Sequence, residues 1–216
     1  MEVEAVVDAS TVRRWLEEAA ASVREQRDYL TQLDAAIGDA DHGANMDRGF
    51  TAVVEKLSMT EDSPPGKLLT TAGSTLVSTV GGASGPLWGT ALRRAGRSLG
   101  EAESFEGPEL VAAFEAALSG VVELGAAKEG EKTMVDALAP AVRALRREAE
   151  AGTPVSSAVR AAHAAGEQGM RATVPMQASK GRACYLGERS IGHQDPGATS
   201  TALILGALAK AVASES

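Results

Sequence analysis

Apolar residues recur at intervals of three and four along nearly the whole chain, and nowhere do they alternate singly over the length of a strand. Each such run marks one stripe of a helix, because side chains three and four apart share a face. Val12, Trp15, Leu16, Ala19 and Val23 form the first stripe, entered near Asp8 or Ser10, and Leu30, Leu33 and Ile37 continue it to Gly38. Met46, Phe50, Val53, Val54 and Leu57 form the second, and Leu68, Leu69, Ala72 and Leu76 the third. A fourth follows Pro86, with Leu87, Ala91, Leu92, Ala95 and Leu99. Pro108 opens a fifth through Leu110, Phe114, Leu118 and Val121. Met134, Leu138, Val142 and Leu145 form a sixth that Pro140 can kink. Pro154 starts a seventh, and a last helix follows a long loop over residues 174–196.

The reading is therefore all-α: about eight antiparallel helices in one domain over residues 1–216, joined mostly by short connections. Composition agrees, with 3% aromatic residues and abundant alanine favouring close helix packing over a β-sandwich. The net charge of −8, without a basic stripe, argues against a nucleic-acid partner. The single cysteine, Cys184, rules out an internal disulfide. The opening residues do not form a signal peptide and no apolar run approaches a membrane span, so a cytoplasmic location is expected.

Glycine-rich loops at residues 38–43, 81–85 and 181–197 interrupt the helices. If helices alternate up and down, such loops gather at one end and can build a site together. The first carries Asp39 and Asp41, just beyond Asp34. A carboxylate near a helix C-terminus opposes the helix dipole, and three carboxylates this close repel unless a cation lies between them. Oxygen ligands suit a hard ion such as Mg²⁺, Mn²⁺ or Ca²⁺. An EF-hand fails, because counting from Asp39 puts Phe50 where the bidentate glutamate belongs.

The loop Gly81-Gly82-Ala83-Ser84-Gly85 precedes a helix, where small residues let backbone amides approach an anion. It lacks the Gly-Lys-Ser/Thr of a Walker A loop. His42-Gly43-Ala44-Asn45 repeats that arrangement. The C-terminal loop carries the basic side chains Lys180, Arg182, Arg189 and, when protonated, His193, and arginine is suited to stack on a base or pair with phosphate; lone histidines such as His42 and His193 are more often structural hydrogen-bond partners. No Cys–His pair or other nucleophile–base constellation stands out, so no catalytic side chain is assigned beyond the metal–nucleotide site.

Four blocks in order, LTQLDAAIGDADHGANMDRGF (30–50), GGASGPLWGTAL (81–92), GEKTMVDALAP (130–140) and GRACYLGERSIGHQDPGATS (181–200), resemble the DhaL, or Dak L-domain, family of dihydroxyacetone kinases. The resemblance implies an eight-helix up-and-down barrel holding ADP or ATP and two Mg²⁺ ions in the loops at one end. It places the metal ligands on Asp34, Asp39 and Asp41, the phosphate contacts on His42, Gly43, Ala44, Asn45, Ala83 and Ser84, and the adenosine contacts on Gly125, Met134, Arg182, Asp195, Pro196 and Gly197. Gly125 and Met134 come from the resemblance alone.

It further implies phosphoryl transfer from a phosphohistidine M subunit to dihydroxyacetone on a K subunit, with ADP kept as a coenzyme. A homodimer and a transcriptional regulator as further partner are expected as well. Rival readings are an ATP-dependent kinase subunit for another triose or polyol, and a nucleotide-loaded regulator that transfers nothing. The chain departs from the family pattern at Ala40 (usually Gly), Glu131 (commonly Asp) and Cys184 (usually Ser). The fatty-acid kinase domains carry a similar aspartate cluster, but typically Asp-Thr-Gly where this chain has Asp41-His42-Gly43.

Overall fold

The computed structural model describes residues 6–60 and 63–213. Among these the order is β1 (Val7–Asp8), α1 (Ala9–Glu25), α2 (Arg27–Ile37), α3 (His42–Ser58), α4 (Pro65–Thr79), α5 (Ser84–Leu99), β2 (Ser104–Phe105), α6 (Gly107–Gly125), α7 (Val135–Glu150), α8 (Val155–Ala172), a 3-10 helix (Arg182–Ser190) and α9 (Pro196–Ala213). The caps follow from sequence. The Asp8 carboxylate accepts the Thr11 amide at 3.0 Å and starts α1. Glu106 and Glu109 form a capping box on α6, with Pro108 in its first turn.

α1 and α2 run on in the same sense with little contact between them, and from α2 onward the helices alternate up and down with sequential neighbours packed side by side. The ring closes because α9 returns to pack on α1 as well as α8. Each helix thus turns one stripe inward, which is the periodicity read from the sequence. Trp15 and Phe114 meet across the barrel in a stacked arrangement with centroids 6.1 Å apart. The Trp15 indole donates to the Ile204 carbonyl at 2.9 Å, so its one polar atom is satisfied inside the core. Between α4 and α5 the backbones touch directly: a Cβ on Gly73 would overlap Gly89, and one on Gly66 would overlap Gly96 and Gly100. β1 and β2 pair antiparallel at the end away from the glycine-rich loops.

Four details differ from the sequence reading. The first stripe is two helices, because the chain turns at Gln26 (φ −96°, ψ 10°), giving nine α-helices among the described residues. On α2 the buried positions are Leu30, Asp34 and Ile37, so a carboxylate and not Leu33 occupies the inward stripe. The loop read over residues 174–196 contains a 3-10 helix at residues 182–190, broken at Gly187 (φ 55°). Finally, α9 is by length and composition apolar enough to span a membrane, with a mean hydropathy of 1.2 over its 18 residues. Here it is a core helix: Ile204, Leu205 and Leu208 are each at most 2% exposed. Burying each contributes about 1.5–3 kcal/mol. Pro140 is accommodated inside an unbroken α7.

Candidate functional site

Alternation puts four connections at one end of the barrel: 38–41, 80–83, 126–134 and 173–195. They enclose a cleft of about 330 Å³, within the size range of small-molecule sites. Four helices, α3, α5, α7 and α9, begin at this end with their N-termini toward the cleft, and α2, α4, α6 and α8 finish there.

The acidic wall comes from α2 and the loop after it. Asp34 is buried, and its Oδ2 accepts the backbone amides of Asp41 at 2.8 Å and His42 at 3.1 Å. The carboxylate therefore folds the loop back over the helix end. Gly38 is required at that return, since a Cβ there would overlap the Asp34 carboxylate. Ala40 takes φ 62°, the left-handed region, at the position where the family usually has glycine. The result is that one carboxylate oxygen from each of Asp34, Asp39 and Asp41 lies within 4.8 Å of the others. That spacing lets one oxygen from each bind a common divalent cation, and the all-oxygen donor set fits Mg²⁺. Asp39 also pairs with Arg182 of the opposite lip at 3.0 Å.

Opposite lies the wall formed by the start of α5 and the His42 side chain. Ala83 and Ser84 start α5, which no side chain caps, leaving its terminal amides to the cleft, whereas the first amide of α3, on His42, is already taken by Asp34. His42 is a bridge between helices: its Nδ1 is 3.2 Å from Ser84 Oγ, and its Nε2 is 3.0 Å from Ser200 Oγ. Burial lowers its pKa, against the opposing pull of Asp34 and Asp41. A neutral imidazole, donor on one nitrogen and acceptor on the other, suits two hydroxyl partners. Asn45 is buried at the floor, its carbonyl oxygen held by Arg48 at 2.6 Å.

The remaining wall is apolar, formed by Leu87, Val121, Ala127, Met134 and Val135 beside Gly125. Asp195, Pro196 and Gly197 close it at the start of α9, where Asp195 Oδ2 accepts the Ala198 amide at 2.7 Å. Burial raises the Asp195 pKa to about 7; Asp136 and Asp34 add to the rise, while the Ala198 amide and Lys132 oppose it.

Of the residues picked out in the sequence, Asp34, Asp39, Asp41, His42, Asn45, Ala83, Ser84, Gly125, Met134, Arg182, Asp195, Pro196 and Gly197 all line this cleft. Gly43 and Ala44 do not. Gly43 packs on α2, where a Cβ would overlap the Arg27 carbonyl. The sequence reading missed Lys132, Thr133, Leu87 and Val121 as cleft residues, and it named Lys180 without placing it in the site. Lys132 was visible in the GEKTM block, but nothing in the block marks the lysine as buried. Asp136 went unassigned too; it accepts the amides of Gly130 at 2.5 Å and Thr133 at 2.8 Å and so folds the 126–134 loop.

Comparison with known proteins agrees with this geometry. The family profile described as the DAK2 domain matches residues 36–210. The chain is 47% identical over 197 residues to the ADP-binding subunit DhaL of the PEP-dependent dihydroxyacetone kinase of Escherichia coli K12, covering 91% of this chain and 94% of that protein. It is 40% identical over 201 residues to the ADP-binding subunit DhaL of PEP-dependent dihydroxyacetone kinase 1 of Listeria innocua, covering 93% and 96%. Among solved structures, the dihydroxyacetone kinase of C. freundii in complex with AMP-PNP and Mg²⁺ superposes with a TM-score of 0.71 at 27% identity, over 92% of this chain and 33% of that one.

Proposed function

The chain belongs to the DAK2-domain family, and from that premise we propose that it is the ADP-binding subunit of a PEP-dependent dihydroxyacetone kinase. The observation that carries the reading is the facing pair of walls in one cleft: three convergent carboxylates opposite the uncapped N-terminus of α5. Asp34, Asp39 and Asp41 would hold the Mg²⁺, two ions in this reading. Phosphates lie against the start of α5 at Ala83 and Ser84 and the start of α3 at His42 and Asn45. The base lies among Leu87, Val121, Gly125 and Met134, closed in by Arg182 and the Asp195–Gly197 turn.

When bound, Mg²⁺ neutralises phosphate charge and keeps the transferring group in line. The protein's own part is positional. Asp34 shapes the ligand loop through two backbone amides, the helix N-termini supply fixed positive potential, and the apolar wall excludes water from the base. Phosphoryl transfer depends mainly on such positioning and charge neutralisation, which fits a site without an evident nucleophile. The phosphoryl group comes from a phosphohistidine M subunit and passes to dihydroxyacetone on a K subunit, with residues 1–216 as the nucleotide-binding domain. A cytoplasmic homodimer, with a transcriptional regulator as a further partner, belongs to the same reading.

The test is the nucleotide content of the purified protein. After purification in Mg²⁺ and exhaustive dialysis, denatured protein should release ADP near one equivalent. Protein that emerges empty and exchanges added ATP freely would favour an ATP-driven kinase. Absence of binding with Mg²⁺ present would overturn the nucleotide site.

A further inference from the structure

The segment that covers the cleft has a light attachment to the barrel. Residues 173–195 supply Lys180, Gly181, Arg182, Ala183 and Asp195 to the nucleotide cleft. Their apolar residues do not join the main core. Ala178 and Ala183, with Leu186 beside them, form a small separate cluster on Ile37 of α2. The Arg182–Asp39 pair adds little, because Arg182 is 71% exposed. Within the segment, Ser190 Oγ donates to the Gly187 carbonyl and accepts the Ala178 amide, which shapes the loop without fastening it to the barrel.

Besides the long contacts of the Ser179 amide to the Glu131 carbonyl at 3.3 Å and of Gln194 Nε2 to the Tyr29 hydroxyl at 3.4 Å, Lys132 is the charged group that reaches across. It sits on the neighbouring 126–134 loop, is 2% exposed, and takes φ 60°, a left-handed backbone rare for lysine. Its ammonium donates to the carbonyls of Thr173 at 2.6 Å, Met176 at 3.2 Å and His193, with Val174 at 3.5 Å. An ammonium has three protons, and three close carbonyls take them. Two acceptors come from the first end of the segment and one from the last, so this side chain ties both ends, alongside the Gly192 amide on the Val174 carbonyl at 2.8 Å and the Asp195 amide on Thr173 Oγ1 at 3.0 Å. The carbonyls of Thr173 and Val174 follow the C-terminus of α8, where a cation is also favoured by the helix dipole. Asp136, which folds the loop carrying Lys132, and Asp195 provide compensating negative charge nearby. A buried cation so completely coordinated by one loop's backbone has no donor left for a phosphate.

We infer that Lys132 is a positioning residue that latches segment 173–195 over the cleft, setting how long nucleotide stays bound and not how fast its phosphoryl group is transferred. The inference rests on the nucleotide-binding reading above. It gives retention of the coenzyme a structural cause separate from the metal ligands: the triad and helix N-termini bind the phosphates, and the latched segment blocks the exit.

The test uses the full chain as Lys132→Met, Lys132→Gln and Lys132→Arg, loaded with a fluorescent ADP analogue in Mg²⁺ and chased with unlabelled ADP. The expected result is a dissociation rate raised roughly tenfold or more in Lys132→Met, since charge-assisted hydrogen bonds are lost together. Lys132→Arg, which keeps the charge and its donors, should lie closer to wild type. With the partner subunits present, the apparent KM for ADP should rise far more than kcat falls. If Lys132→Met does not fold, Lys132→Gln carries the same test, with two donors and no charge.

An unchanged dissociation rate in either folded variant would overturn the inference, as would a fall in kcat matching the loss of retention. Loss of helical circular dichroism in both variants would make Lys132 a determinant of the whole fold, and overturn it too. A wild-type protein that binds no nucleotide is a separate result, and it refutes the functional reading itself.

Discussion

Asp34 and Asp39 are both proposed as metal ligands, yet the structure predicts very unequal consequences for stability when each is removed. Asp34 is 8% exposed, and its Oδ2 takes the amides of Asp41 and His42. Hydrogen bonds to a charged acceptor are worth about 1.5–3 kcal/mol each. Losing two, less the relief of removing a negative charge from a helix C-terminus, costs Asp34→Ala about 3–5 kcal/mol. For a chain of this size each kcal/mol moves the melting temperature by about 2–4 °C, so a fall on the order of 10 °C is expected. Asp39 makes only the exposed pair with Arg182, worth under about 1 kcal/mol. Its removal also relieves repulsion from Asp34 and Asp41, so Asp39→Ala should melt within about 3 °C of wild type.

Both variants should lose Mg-ADP affinity. Altering residues that merely support a metal ligand costs 10–100-fold, so loss of a ligand itself should cost about a hundredfold or more. Thermal melts in EDTA read the first effect, and calorimetric titration with ADP in Mg²⁺ reads the second. Unchanged Mg-ADP affinity in Asp39→Ala would refute the metal assignment. An unchanged melt in Asp34→Ala would refute the claim that this carboxylate folds the loop.

Two further substitutions probe the same end of the barrel. Ala40→Gly should stabilise the protein by about 0.5–1 kcal/mol, because the left-handed strain on alanine, about 1–2 kcal/mol, exceeds the entropy glycine adds to the unfolded chain; a lowered urea midpoint would contradict this. Asp195 has its pKa raised from 3.8 to about 7, so its favourable contribution is fully present below pH 3.8 and is lost as pH rises through about 7. In metal-free buffer, Asp195→Asn keeps an acceptor for Ala198 and removes a buried charge that costs wild type up to about 4 kcal/mol above pH 7. Its melting temperature should therefore gain on wild type between pH 5 and pH 8, and a pH-independent difference would refute the assignment.

The helices were legible because a closed ring of up-and-down helices buries one stripe on each, and a stripe is what three-and-four spacing records. The break at Gln26 was not legible. Leu30 and Ile37 stay in phase with α1, and the turn uses an ordinary residue with φ −96° and no proline or glycine. Leu33 looked like the inward residue of α2, but Asp34 is the buried one. A carboxylate within a buried stripe is a sign of function, and it becomes readable only once the neighbouring helices fix which face turns inward. The Gly81–Gly85 and Asp39–Asp41 loops, which line the cleft, are visible in the sequence because small residues and clustered carboxylates interrupt the helical spacing. Lys132 escaped because its partners are backbone carbonyls some 40 to 60 residues further on, and carbonyls leave no mark on sequence.

The alternation that builds the fold also explains the polarity of the site. In an up-and-down ring, every end of the barrel carries helix N-termini and C-termini by turns. Here α3, α5, α7 and α9 present N-termini to the cleft, while α2 and α8 end beside it. An N-terminus attracts anions and a C-terminus cations. The C-terminus of α2 carries the three carboxylates, which deepen a cation site the helix dipole has already favoured. The carbonyls after α8 take up the Lys132 ammonium, so that end already has its cation from within the chain. The N-terminus of α5 lacks a side-chain cap and remains for phosphate. A nucleotide without metal would meet the repulsion of the aspartates, and a metal without phosphate would leave the amide donors opposite unpaired. The cleft is complementary to the two together, which is why a magnesium–nucleotide complex suits this barrel end better than either component alone.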